Sequence, residues 1–244
     1  MSSETSAIFT KENLDIYLKE LAKEFRKLNG KSMPAEIILI GGAAILANYG
    51  FRNNTNDIDA VIKAASSMKS AINHVGDKFK LSSGWLNDDF VHTNSYSVKL
   101  SEVSVYYKTF SNILEIRTIS AEYLIAMKLR SGRKYKNDLS DVVGILAEQE
   151  NRNLPLSFDK IDSAVQTLYG SWDGISADSQ QFIKDILRNG NYTEAYNSII
   201  KEEQQAGSLL FQFCQDYPNK AAETDINNIL ASLKVKQQKE PDIE

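Results

Sequence analysis

The chain has 244 residues, of which 42% are hydrophobic and 25% are charged, a composition typical of a globular protein with a sizeable core. Its net charge of −4 argues against a protein that coats nucleic acid nonspecifically. The single cysteine, Cys214, excludes an intrachain disulfide, and no apolar stretch approaches the roughly 18 residues of a membrane span. The first residues contain no basic region followed by an apolar run, so we expect a cytoplasmic protein without a membrane partner.

The first 150 residues combine helical and strand patterns. Leu14, Leu18, Leu21 and Phe25 recur at spacings of three and four, which predicts an amphipathic helix over 11–28 with Thr10 as its N-cap. Apolar runs and alternation predict strands at 36–40, 57–63, 102–108 and 113–118, whereas 85–101 has no regular pattern. Further helices are predicted at 43–48, 66–79, 120–131 and from 137 or 138 to about 150.

The pattern changes from Pro155 onward, where strand signals vanish. Helices are predicted near 158–169, 178–189, 193–205, 208–216 and 222–235. We therefore expect an α+β fold, with a mixed sheet flanked by helices and then an all-helical part. The predicted domains are 1–150, which is close to neutral, and 151–244, which holds 9 basic against 14 acidic residues.

A glycine pair follows the first predicted strand. The sequence runs from Ile40 into Gly41-Gly42 and then into a short helix. Such a turn exposes backbone N–H groups at a helix N-terminus, whose partial positive charge suits a phosphate. A tight strand-to-helix turn without any ligand explains the same two residues.

Two carboxylates flank a single apolar residue at the start of the next predicted strand. Asp57 and Asp59 occupy positions i and i+2, so both side chains point to one face while Ile58 points into the core. Adjacent carboxylates repel each other unless a cation lies between them, and Mg²⁺ is the cation that such a pair binds together with a triphosphate. The alternative without a ligand is that the two carboxylates are adjacent by chance at the solvent-facing edge of a strand.

The order of these motifs resembles the nucleotidyltransferase superfamily, whose polymerase-beta-like members share it. The Gly-Gly turn and short helix are followed by Arg52-Asn-Asn-Thr-Asn-Asp-Ile-Asp59. A second motif contains Lys128-Leu-Arg130-Ser-Gly-Arg133 and then Asp138-Leu-Ser-Asp141. This layout is most similar to the AbiE-type abortive-infection toxins and related toxin–antitoxin transferases, and the resemblance covers about residues 35–150.

The resemblance implies a role for each matching residue. Gly41 and Gly42 would contact the triphosphate, and Asp57 and Asp59 would bind Mg²⁺. Arg52 would brace the turn or the triphosphate. In the second motif, Lys128 would neutralise phosphate charge, and Asp138 or Asp141 would orient the attacking hydroxyl or accept its proton.

Each residue of the second motif also has a structural alternative. Lys128 is equally consistent with a surface lysine and Asp138 with a helix N-cap. Asp141 is consistent with an exposed carboxylate paired with Lys134 or Lys136. A third carboxylate is common in this fold, and the matching candidate, Glu115, lies on a strand whose side-chain direction the sequence leaves open.

The resulting hypothesis is Mg²⁺-dependent transfer of a nucleotidyl group from a nucleoside triphosphate to a hydroxyl. The acceptor is RNA, such as a tRNA 3′ end, or a protein side chain, and the basic run from Lys128 to Lys136 favours RNA. By resemblance, the chain would act as a toxin with a cognate antitoxin. The alternative is a catalytically inactive binding module with this fold, which docks a protein through its acidic C-terminal part.

Overall fold

A computed structural model describes residues 8–31, 33–217, 226, 229, 230, 232 and 233. In this part of the chain, one five-stranded sheet has the order β3-β2-β1-β5-β4. Its strands are β1 (Ala35–Leu39), β2 (Ile58–Lys63), β3 (Leu86–Asn87), β4 (Ser104–Phe110) and β5 (Leu114–Ile119). The central strand β1 is apolar and almost wholly buried, as expected for a strand covered on both faces.

The sheet register brings the two sequence motifs of the first half together. Strand β1 runs antiparallel to β2 and parallel to β5. The end of β1 therefore meets the start of β2, and the Ile40 N–H donates to the Asp59 carbonyl at 2.9 Å. The glycine turn that follows β1 consequently lies beside the acidic pair.

Helices cover the sheet and continue after it. They are α1 (Lys11–Asn29), α2 (Gly41–Asn48), α3 (Ser67–Phe79), α4 (Leu100–Val103), α5 (Ala121–Ser131), α6 (Asp138–Asn151), α7 (Phe158–Tyr169), α8 (Ala177–Asn189) and α9 (Tyr192–Asp216). The predicted α+β class, with a mixed sheet and a helical C-terminal region, is confirmed.

Several predicted boundaries change, and the segment 85–101, for which the sequence predicts no regular pattern, contains β3 and the start of α4. Helix α2 begins at Gly41 rather than Ala43, so both glycines belong to its first turn. The predicted helices at 193–205 and 208–216 form the single helix α9, because Gly207 lies in its interior without breaking it. The predicted helix over 222–235 falls largely outside the described residues.

One hydrophobic cluster extends from the sheet into the C-terminal helices. Ile161 of α7 and Ile183 of α8 are fully buried in the same cluster as Ile38 and Leu114 of the sheet. The division of the chain at residue 150 stays a prediction. Among the described residues, no helix is long and apolar enough to span a membrane.

Candidate active site

The carboxylates of Asp57 and Asp59 interact electrostatically at the start of β2, beside the end of β1. Asp57 is exposed immediately before β2, and Asp59 is partly buried at its second position. Burial raises the pKa of Asp59, and the neighbouring charge of Asp57 raises it further, whereas Lys136, Arg133 and Lys128 act in the opposite direction. Two like charges that raise each other's energy in this way favour a cation between them.

The first turn of α2 faces this acidic pair. Gly41 has a left-handed φ of +54°, and a Cβ there would stand 3.5 Å from Asp59 Oδ2. Ile40, at the N-cap position, provides no side-chain cap to the helix. The first N–H groups of α2 have no partners within the helix, so this end attracts an anion close to the carboxylates.

Gly42 makes room for Arg52 rather than for an open phosphate cradle. A Cβ at Gly42 would stand 2.5 Å from Thr55 Oγ1 and 3.0 Å from Arg52 Nη2. Arg52 Nε also donates to the Asn54 carbonyl at 3.0 Å. Arg52 therefore packs against the turn and covers the Cα side of Gly42, and its contact with a triphosphate stays a prediction.

A buried network of opposite charges joins this turn to α5 and α6. Asp141 Oδ2 lies 2.6 Å from Arg52 Nη1 and 2.8 Å from Lys128 Nζ. Lys128 Nζ also lies 2.9 Å from Asp138 Oδ1. Burial lowers the pKa of Lys128, but the two carboxylates outweigh burial and raise it above its usual value, so the lysine is charged.

Asp138 has no exposed surface, and both of its oxygens are occupied by cations. Arg133 Nε donates to Oδ2 at 2.9 Å and Arg133 Nη2 donates to Oδ1 at 3.2 Å, in addition to the Lys128 contact. Burial would raise the pKa of Asp138, yet Lys128 and Arg133 hold it well below its ordinary value. A carboxylate with this low pKa is a weak proton acceptor.

The three structural alternatives for the second motif are wrong. Lys128 is buried rather than on the surface, and the N-cap position of α6 is Asn137 rather than Asp138. Asp141 is buried and pairs with Arg52 and Lys128, whereas Lys134 pairs with Asp178.

Glu115 does not join Asp57 and Asp59. It is level with Glu36 in the parallel register, whereas Asp59 lies beside Ile40, four residues later and just past the end of β1. Four residues of strand correspond to about 13 Å. The Glu115 carboxylate instead lies 2.8 Å from Arg117 Nη1. Within the described residues, no group of three or more His, Cys, Asp or Glu side chains is arranged to hold a metal.

The basic run from Lys128 to Lys136 does not form one exposed face. Lys128 and Arg133 bind the buried carboxylates, and Arg130 donates to the carbonyls of Asn94 and Asp173. Lys136 is exposed and acts on Asp59 electrostatically. Lys128, Arg130 and Arg133 are thus engaged inside the protein, and Lys134 pairs with Asp178, which removes the argument that the run favours RNA.

Sequence reasoning missed Glu203, a buried carboxylate of α9. Its Oε1 accepts hydrogen bonds from the Leu139 N–H at 2.8 Å and the Ser140 N–H at 3.4 Å. Burial raises its pKa to about 7, and Asp141 adds to the rise. No motif in the sequence marks Glu203, because its partner is a helix 64 positions away.

The donor set of the site suits Mg²⁺. This ion is commonly bound through one or two carboxylates, with water and substrate phosphates completing its coordination. Asp57 and Asp59 provide that number, and the pKa of Asp59, raised in part by Asp57, reflects the repulsion that a cation relieves.

Comparison with known proteins identifies the family. The model of a family described as "nucleotidyltransferase of unknown function (DUF6036)" matches residues 17–164. No curated protein and no solved structure matches significantly. The resemblance to a nucleotidyltransferase is thereby confirmed, and the likeness to AbiE-type toxins stays a prediction. The family match covers more than half of the chain, which belongs to this family and is a nucleotidyltransferase.

Proposed function

We propose that the protein transfers a nucleotidyl group from a nucleoside triphosphate to an acceptor hydroxyl in a Mg²⁺-dependent reaction. The observation that carries this proposal is the position of Asp57 and Asp59 beside the uncapped first turn of α2. A carboxylate pair and a helix N-terminus complement a metal and a polyphosphate, respectively. Family membership favours this enzyme over an inactive binding module.

Asp57 and Asp59 would hold the metal, and Gly41 would lie against the triphosphate together with the amide of Gly42. When bound, Mg²⁺ would supply charge neutralisation at the phosphate oxygens. The acceptor oxygen forms a bond to the α-phosphorus, the bond from that phosphorus to its bridging oxygen breaks, and pyrophosphate leaves. The proton of the hydroxyl passes to solvent water.

Lys128, Arg133 and Lys136 would stabilise the negative charge that develops on the phosphates, since all three act on Asp59 electrostatically. We assign Asp138 and Asp141 to positioning rather than to proton transfer. Asp138 fixes Lys128 and Arg133, and Asp141 fixes Lys128 and Arg52. Catalysis of this kind depends on placing charges rather than on covalent chemistry by the protein.

The acceptor in this proposal is a hydroxyl of RNA, such as a tRNA 3′ end, or of a protein. The proposed biological role is that of a toxin with a cognate antitoxin, and its support is the likeness of the two motifs to AbiE-type toxins. Growth arrest on expression of the wild-type chain, relieved by Asp57→Asn, is the result that this role predicts. Equal growth with both chains would contradict it.

The direct test is transfer of label from each α-³²P nucleoside triphosphate to total RNA and to protein, with and without Mg²⁺. We expect labelling to require Mg²⁺ and to fall about 100-fold or more in Asp57→Asn. Asp77→Asn, which removes one exposed carboxylate from α3, is the matched control and should label like the wild type. Labelling of wild-type strength in Asp57→Asn would contradict the assignment. Recovery of the label in the RNA or in the protein identifies the class of acceptor.

A further inference from the structure

The first turn of α6 is capped by another helix. Asn137 provides no side-chain cap, and Glu203 of α9 instead accepts from the Leu139 and Ser140 N–H groups. Glu203 is only 4% exposed. Because helix N-terminal N–H groups lack intrahelical partners and carry partial positive charge, a carboxylate at this point fixes the position of the turn.

The capped turn carries the two carboxylates that organise the site. Asp138 precedes the Glu203 contacts by one residue, and Asp141 follows them by one. These carboxylates hold Lys128 and Arg52. A shift of this turn would therefore displace Arg52, which lies over Gly42, and Lys128, which acts on Asp59 electrostatically.

The same face of α9 also packs against the loop that precedes α6. Ala206 and Gly207 follow Glu203 by three and four residues, so the three share one helix face. Ala206 is buried with Tyr135 packed against its cluster, and a Cβ at Gly207 would stand 3.3 Å from the Tyr135 carbonyl. This loop holds Arg133 and Lys136, both of which act on Asp59.

We infer that Glu203 is a positioning residue for nucleotidyl transfer, which holds the first turn of α6 so that Lys128 and Arg52 stand correctly beside Asp59 and Gly42. The inference rests on the proposed function. It also gives α9, which lies outside the matched residues 17–164, a part in organising the active site.

The burial of the Glu203 carboxyl group is expected to destabilise the fold, and this supports a functional role for it. Among the described residues, Glu203 Oε2 is buried without a hydrogen-bond partner. A buried, half-satisfied carboxylate destabilises a fold. Local rules are broken in this way mainly at functional sites.

The test compares four variants of the full chain by steady-state transfer from labelled triphosphate at a temperature where each is folded. Glu203→Ala removes the acceptor and Glu203→Asp withdraws it, so both should lower kcat about 100-fold while the KM for nucleotide changes less than threefold. Glu203→Gln keeps an oxygen acceptor and should stay within about threefold of wild type. Glu202→Gln, at an exposed neighbouring position, should match the wild type.

Amide hydrogen exchange over residues 128–141 provides a readout that does not depend on activity. We expect faster exchange in Glu203→Ala and Glu203→Asp, but not in Glu203→Gln. If Glu203→Ala does not fold, Glu203→Asp against Glu203→Gln decides the question. Unchanged kcat in folded Glu203→Asp, or equal losses in Glu203→Asp and Glu203→Gln, would overturn the inference. If the wild-type chain transfers no nucleotide, the proposed function is overturned instead. In that case hydrogen exchange still tests the positioning role, and unchanged exchange in Glu203→Asp would overturn it.

Discussion

Arg52 Nη1 lies 2.6 Å from Asp141 Oδ2, although the two residues are 89 positions apart in the chain. The side chain of Arg52 is 16% exposed and that of Asp141 is 3% exposed. This ion pair joins the loop before the acidic pair to α6. The two motifs that resemble nucleotidyltransferases in sequence are therefore in direct contact in the fold.

Replacement of Lys128 by Met should strongly destabilise the protein. The substitution leaves Asp138 and Asp141 buried without the cation between them, and loss of one partner from a buried ion pair costs about 3–5 kcal/mol. Urea denaturation measures the change. Lys134→Met is the matched control, because Lys134 and its partner Asp178 are exposed to solvent and their ion pair should contribute little to stability. A loss below 1 kcal/mol in Lys128→Met would contradict this account of the network.

Gly42→Ala should impair both folding and transfer. The new Cβ would stand 2.5 Å from Thr55 Oγ1 and 3.0 Å from Arg52 Nη2, so Thr55 must move and Arg52 must give way slightly. We expect a loss of about 1–3 kcal/mol in unfolding free energy and a fall in kcat of at least about tenfold. Gly50→Ala is the control, since a Cβ there meets nothing within 4 Å. Equal behaviour of the two alanine variants would be evidence against a packed turn.

Glu203→Gln should alter the pH dependence of stability. Burial raises the pKa of Glu203 from 4.5 to about 7, and the charge of Asp141 on α6 adds to the rise, whereas hydrogen bonds from Ser140 and Leu139 of α6 act in the opposite direction. Tyr196 of α9 also interacts with Glu203 electrostatically. Between these two pKa values the folded chain binds a proton that the unfolded chain has lost, so the stability of the wild type falls as pH rises through this window.

Glutamine does not titrate, so Glu203→Gln escapes this fall. Relative to wild type, its unfolding free energy should increase between pH 5 and pH 8 by up to about 3 kcal/mol. Urea denaturation of both chains at the two pH values measures the change, with Glu202→Gln as the control. A difference between Glu203→Gln and wild type that is the same at pH 5 and pH 8 would show that Glu203 does not titrate in this window.

Glu115→Gln should transfer nucleotide at the wild-type rate within about twofold. Glu115 is level with Glu36 rather than with Ile40, and its carboxylate pairs with Arg117 instead of approaching Asp59. Removal of a true metal ligand would lower kcat by orders of magnitude. A 100-fold loss of kcat in Glu115→Gln would instead show that Glu115 acts as a third metal-binding carboxylate.

Local sequence patterns predicted most elements because their signals are local. Leu14, Leu18 and Leu21 are buried along α1, and Ser120 is the N-cap of α5. That the spacing of Asp57 and Asp59 places both carboxylates on one face stays a prediction. Helix α9 was predicted as two helices because Gly207 in the interior of a helix has the same sequence pattern as a glycine that ends one.

Contacts between residues far apart in the chain could not be predicted from the sequence, because no local pattern encodes them. The basic run from Lys128 to Lys136 favoured RNA on charge alone, but Lys128 and Arg133 are bound to Asp138 on the next helix. The partners of Arg52 and Glu203 likewise depend on tertiary packing. The positioning part of the candidate site therefore emerges only from the fold.

The most direct test of the central claim is binding of Mn²⁺, as a paramagnetic substitute for Mg²⁺, measured by electron paramagnetic resonance with and without a non-hydrolysable nucleoside triphosphate. The account predicts that nucleotide tightens Mn²⁺ binding to the wild type and to Asp77→Asn, and that Asp57→Asn and Asp59→Asn abolish this effect. Nucleotide-dependent Mn²⁺ binding of wild-type strength in both Asp57→Asn and Asp59→Asn would contradict it.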